Sequence, residues 1–222
     1  MRMQLKSYRA FVAQPYRAIE IWGLSAILLA AYWLLAPRFG TTALIICYSV
    51  YIQLDMTWDF WIFGGICPRN SAKMEFVKSS CYGYTGLKMA ILTDQMRRFV
   101  MFAILSVGLM AITVIREDRT IGSVELWYTA LLILAPYAVN TLLLNISRHI
   151  EFFQLYILVP CAGCGFVAGL LAAFGEQLSD GTLVTVKQMV FLVILLLLGI
   201  IGTAVTIWHM LFCIKRSYRD AV

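Results

Sequence analysis

Two carboxylates four residues apart, Asp55 and Asp59, lie inside an apolar run from Thr42 to Phe63 and are the side chains best placed here to bind a charge. That spacing puts both on one helix face, shared with Tyr48, Ile52 and Ile62. Counted from Thr41 at ~1.5 Å per residue, Asp55 sits ~21 Å along the helix and Asp59 near its inner end. An ionised carboxylate at such depth costs on the order of 2.5–3.5 kcal/mol, so each must face protein, water or a cation. Two roles satisfy this. In the structural one, Asp55 bonds a Tyr or Trp of a neighbouring helix and Asp59 reaches an inner-side arginine. In the functional one, the pair contacts an ion or substrate in a translocation path. Asn140 and Asn145 could face the same interior, although five apart they share a face poorly. Glu20 and Glu151 fall at the edges of apolar runs and read as interfacial.

Other reactive residues carry weaker patterns. Cys161-Ala-Gly-Cys164 has the spacing of a metal or redox pair, but it lacks a second pair and lies among Pro160, Gly163 and Gly165. Small residues ease helix packing, and packing is the expected role. His149 falls at a helix end and His209 in the last apolar run, each read as a packed or interfacial histidine, and no metal site is expected. A Cys–His peptidase would need Cys67 or Cys81 beside His149, a pairing the spacing does not support. The chain contains no HExxH, GxSxG or GxxxxGK[ST] pattern. It is not expected to be an enzyme, and any ATP chemistry must come from a partner.

The elements that position these residues are membrane helices. With 61% hydrophobic and 14% charged residues and a mean hydropathy of +0.81, the chain cannot present the mixed surface of a soluble domain. Apolar runs near Ile21–Leu35, Thr42–Phe63, Phe99–Ile115, Val124–Ile146, Phe152–Phe174 and Gln188–Ile214 predict six transmembrane helices in an all-α membrane protein over residues 19–222. Fourteen of the eighteen basic residues fall on the side shared by both termini, which places the termini and the Arg69–Arg98 segment in the cytoplasm. The net charge of +6 therefore reflects topology and anionic lipid rather than a nucleic-acid site. Residues 1–18 interleave Leu5, Tyr8, Phe11 and Tyr16 with Lys6, Arg9 and Arg17, the pattern of an interfacial amphipathic helix that is not a cleaved signal. Six cysteines in spans or facing a reducing compartment imply no disulfide framework.

One polar segment, residues 68–86, interrupts the membrane pattern. Gly64, Gly65 and Pro68 end the second span, Asn70 or Ser71 can cap a new helix, and Gly83 and Gly86 can turn the chain back. A cytoplasmic helix here carries Met74, Phe76 and Val77 among Lys73, Glu75 and Lys78, apolar anchors with a charged rim suited to a partner pocket. The bland alternative is a solvated loop.

With Lys73-Met-Glu-Phe-Val-Lys-Ser-Ser80, then Gly86-Leu-Lys88 and Asp94-Gln-Met-Arg-Arg98, this order of elements resembles the type-two permeases of ABC exporters. The resemblance covers the whole chain as topology and about thirty residues as motif; where such permeases commonly continue with Ser-Pro, this chain has Ser80-Cys81. It implies that residues 73–78 form a coupling helix between helices 2 and 3, seated on a separate ATPase subunit that binds ATP and magnesium. It also implies pairing with a second permease copy in a bacterial plasma membrane, both termini cytoplasmic. By the same analogy Tyr48, Tyr51, Asp55, Trp58, Asp59 and Trp61 would touch or gate a hydrophobic or amphipathic cargo, with peptides as the expected class. An ion-coupled transporter or channel built on Asp55 and Asp59 is the alternative, and a membrane-embedded peptidase a further one.

Overall fold

The structure, a computed structural model, describes residues 23–64, 66–67, 72–79, 83–118, 120–150, 152–180 and 185–219. The expected interfacial helix at residues 1–18 lies outside these, as do Arg69, Asn70, Ser71 and Ser80 and the side chains of Lys73 and Phe76. Every regular element among the described residues is an α-helix: α1 (Leu24–Phe39), α2 (Thr41–Phe63), α3 (Ala72–Lys78), α4 (Gly83–Arg116), α5 (Ser123–Ser147), α6 (Phe153–Tyr156), α7 (Leu158–Asp180) and α8 (Val186–Arg219). Four stretches are long and apolar enough to cross a membrane: Gly83–Arg116, Ser123–Ser147, Phe153–Phe174 and Val186–Ser217. α1 is a shorter apolar helix, and α2 has 23 residues but carries Asp55 and Asp59.

Local chemistry explains where the helices break. Between α1 and α2 only Gly40 departs from helix, at φ 48°, with its N–H donating to Ala36 O at 2.9 Å. A side chain is strained in that region, so glycine holds the corner. α6 and α7 would be one helix but for Pro160, which lacks the N–H that would reach the Tyr156 carbonyl; the chain steps at Ile157 and resumes. At the start of α5, the Gly122 N–H donates to Glu125 Oε2 at 2.9 Å and satisfies one of the donors a helix start leaves open.

α4 differs most from the expectation. Its apolar run begins near Phe99 and the expected helix runs through Asp94–Arg98, but the helix begins as far back as Gly83, and Gly86, read as a turn, lies within it. Its polar first half stays helical because Leu87, Ala90 and Ile91 bury one face while Asp94 pairs with Arg97 and Arg98 at i,i+3 and i,i+4.

α5 is the central helix, packed against α2, α4, α7 and α8. Its seam with α8 is close: a Cβ on Gly202 would stand 2.6 Å from Thr141 Oγ1. The interior has two apolar cores. The larger includes Tyr48, Met56, Phe102, Leu131 and Leu195; the smaller includes Phe63, Met74, Leu87, Ile91, Met210 and Ile214. Along α4 the two are separated by Asp94, Gln95 and Arg98, all buried.

Candidate functional site

The layer between the cores is ionic. Asp55 and Asp59 on α2, Asp94, Arg97 and Arg98 on α4, and Arg148 just after α5 supply three carboxylates and three guanidiniums. Arg98 touches all three acids: Nε donates to Asp94 Oδ2 at 2.9 Å, Nη2 to Asp59 Oδ1 at 2.8 Å, and Nη1 to Asp55 Oδ2. Arg148 donates through Nη2 to Asp59 Oδ1 at 2.7 Å and to Asp94 Oδ2 at 3.3 Å, and through Nε to Asp59 Oδ2 at 3.2 Å. Arg97 Nη2 donates to Asp55 Oδ1 at 3.1 Å and to Asp94 Oδ1 at 3.0 Å. Asn140 on α5 completes the set by donating Nδ2 to Asp55 Oδ2 at 2.7 Å.

Asp55, Asp59, Asp94, Arg98 and Arg148 are each at most 1% exposed. Ions this deep persist only when each finds opposite charge and hydrogen bonds, and three against three leaves the layer neutral. Burial pulls the Arg148 guanidinium down, but Asp59 and Asp94 outweigh it, so the group is raised and stays charged. The Arg148 guanidinium also lies 4.9 Å from the centre of the Phe63 ring.

This geometry sorts the residues expected to line a path. Asp55 and Asp59 are held by arginines, with Asp55 also bonded to Asn140. Of the two roles weighed for them, the contacts are of the structural kind, with arginine and asparagine in place of a Tyr or Trp partner for Asp55. Tyr48 bonds Ser106, and Tyr51 meets the Phe102 ring edge-on at 5.2 Å, both inside the chain's own core. Trp58 is half-buried, whereas Trp61 is 64% exposed on the outer face beside Phe153. The six residues thus do not converge on one surface. Cys164 donates Sγ to the Ser49 carbonyl at 3.3 Å, Gly163 sits against Leu143, and Cys161 is exposed.

The short helix α3 corrects a second expectation. Met74 and Val77, read as anchors open to a partner, are 1% and 5% exposed and join Leu87 and Ile91 of α4 and Met210 and Ile214 of α8 in the smaller core. The reason is amphipathic geometry: positions three apart share a face, and that face meets the chain itself. Glu75 points outward, its side chain 55% exposed and bonded to Lys78 Nζ at 2.7 Å, and Ser79 is exposed beside it.

Comparison of the chain with models of protein families, with curated proteins and with solved structures finds no match.

A third grouping was missed from the sequence. Cys67, His149, His209 and Cys213 approach one another at the end of the bundle that carries α3. Spacing alone does not support a pairing of Cys67 with His149, and folding brings the two near each other all the same. The Cys67 N–H donates to the Arg148 carbonyl at 3.5 Å, which joins the two segments. A hydrogen bond with Cys213 and burial hold the Cys67 thiol above its usual range, opposite to what a nucleophilic thiolate requires. Burial first, then the facing His209 ring and Arg216, lower His149, so an uncharged ring can approach its neighbour. The available sequence signal was the i,i+4 spacing of His209 and Cys213 on one helix face.

Proposed function

We propose that this chain is the membrane-spanning subunit of an ATP-driven exporter of the type-two ABC permease kind. It crosses the bacterial plasma membrane six times, with α1 and α2 among the spans and both termini in the cytoplasm. A second permease copy completes the transmembrane part, and a separate ATPase subunit holds ATP and magnesium. The cargo is hydrophobic or amphipathic, with peptides as the favoured class.

The observation that carries the reading is the setting of α3. A seven-residue helix lies between α2 and α4, its apolar face fastened to α4 and α8 and its polar face open at Glu75 and Ser79. A partner that pushes on the open face moves α4 and α8 through Met74 and Val77. Arg97 and Arg98, about two to three turns further along the same α4, are tied to α2 and to the end of α5 through the ionic layer. The chain so described is a handle with a stiff linkage to the spans. In this reading Asp55 and Asp59 belong to the linkage; three arginines neutralise them and Asp94, which disfavours their use by a transported cation. Residues 73–78 remain the proposed ATPase contact, with recognition assigned to the outward side chains, Glu75 foremost.

The test is to co-express the chain with the ATPase encoded beside it, purify through a tag on the permease and crosslink a Glu75→Cys variant with a short bismaleimide. Recovery of the ATPase, crosslinked at position 75 and stimulated by cargo, is the expected result. Absence of any ATPase in the purified complex, together with cargo movement that follows the proton gradient in ATP-depleted cells, would refute it.

A further inference from the structure

Four side chains from three segments far apart in sequence meet near the base of α3. Cys67 follows α2, His149 follows α5, and His209 and Cys213 share one face of α8. One ligand atom from each, two sulfurs and two ring nitrogens, lie within 4.8 Å of one another. His149 Nε2 stands 3.2 Å from His209 Nε2, and Cys213 Sγ stands 3.8 Å from that same nitrogen. A tetrahedral ion bound at about 2.0–2.1 Å to nitrogen and about 2.3 Å to sulfur keeps its ligand atoms about 3.3–3.8 Å apart. The two pairs that share His209 Nε2 have nearly these edge lengths, and the remaining pairs, all within 4.8 Å, need at most a small contraction around the ion. The geometry points to a Cys2His2 site for Zn2+ formed by Cys67, His149, His209 and Cys213, and we infer that the chain binds one zinc ion there.

Charge and surroundings favour this ion. Two thiols that lose their protons to solvent give two thiolates, which balance the +2 charge and leave the site neutral. A neutral site suits its neighbours, since Phe63, Ile66, Met210 and Ile214 belong to the same apolar core as both cysteines. Imidazole with thiolate in a tetrahedral set is the donor combination zinc takes. His149 is exposed and offers an entry path, while both cysteines are buried. The site joins three segments: the stretch between α2 and α3, the turn after α5, and the last turns of α8. Zinc would therefore clasp the end of the bundle on which α3 is seated, whatever the chain transports.

The test uses the full chain purified in detergent without chelators, with added ZnCl2 or CoCl2 as the probe. We expect one zinc per chain by elemental analysis and, with cobalt, the intense visible bands of a tetrahedral ion together with thiolate-to-cobalt charge transfer. His149→Ala, at an exposed position, is expected to remain helical and to lose zinc affinity about tenfold or more. Cys213→Ser should do the same, and Cys161→Ser, exposed on α7, should retain it. Folded parent protein that shows no tetrahedral cobalt spectrum would overturn the assignment without recourse to any variant. So would equal zinc content in the parent and His149→Ala, a Cys67–Cys213 disulfide found by mass spectrometry, or stoichiometric copper in place of zinc.

Discussion

Replacing Arg98 by methionine is the sharpest perturbation of the ionic layer. The side chain is 1% exposed and donates to Asp55, Asp59 and Asp94 at once. Its loss leaves three carboxylates facing Arg97 and Arg148, an uncompensated charge of −1 in the interior. Breaking a buried ion pair from one side costs about 3–5 kcal/mol. For a chain of 222 residues each kcal/mol corresponds to about 2–4 °C in the unfolding midpoint, so Arg98→Met should unfold about 6–20 °C below the parent. Asp55→Asn alone errs in the other direction, with two carboxylates against three guanidiniums, and should also destabilise. Combining the two restores two against two. The double variant should then be more stable than the sum of the single effects predicts, with a coupling of about 1–3 kcal/mol, because the sites are in direct contact. Apparent midpoints of detergent-solubilised protein, measured at one scan rate by intrinsic tryptophan fluorescence and by loss of the monodisperse elution peak, provide the assay. Additive effects, or an Arg98→Met protein within 2 °C of the parent by this roughly 2–4 °C per kcal/mol scale, would refute the balanced ionic layer.

Met74→Ala removes a side chain only 1% exposed from the seat of α3 and should cost about 2–5 kcal/mol by apparent midpoint, whereas Glu75→Ala on the open face should change stability by less than about 0.5 kcal/mol. Equal effects would mean that α3 is not packed as described. Gly202→Ala puts a methyl 2.6 Å from the buried Thr141 Oγ1 and should destabilise by about 1–3 kcal/mol; Gly165→Ala, with nothing within 4 Å, should be neutral or stabilising by about 0.5–1 kcal/mol from helix propensity, and thermal scans of the pair separate the two. Cysteines placed at Ser79 and Ile121, both exposed, should react with an impermeant maleimide from opposite sides of the membrane, Ser79 from inside; labelling of both from one side would contradict the proposed topology. Tyr156→Phe deletes the donor to the Met56 carbonyl between α6 and α2 and should cost about 1–3 kcal/mol, read as a lower midpoint with unchanged helical content.

Helix content and the placement of most helices were legible because they depend on composition and short-range spacing. The apolar runs read from the sequence recur within α1, α2, α4, α5, α6 with α7, and α8, since a run of apolar residues can satisfy its backbone in lipid only as a helix. The short helix between Pro68 and Gly83 was equally visible from its breakers. For Asp59 the sequence offered two roles, and its ion pairs with Arg98 and Arg148 match the one in which a buried acid reaches an arginine. The face that α3 presents was not legible, because amphipathicity states that Met74 and Val77 need cover without saying whether the chain or a partner provides it.

What only the tertiary structure decided are pairings between residues separated by 39 to 143 positions. Arg98 meets Asp59 across 39 positions, Arg148 meets Asp59 across 89, and Cys67 meets Met210, beside Cys213, across 143. α2, α4 and α8 fix Asp59, Arg98, His209 and Cys213 to a face and a height, and the sequence alone determines that much. Whether faces on different helices meet depends on crossing angles and on the axial offset between them. These are set by the packing of many weak contacts, such as Gly202 against Thr141, that no local spacing encodes.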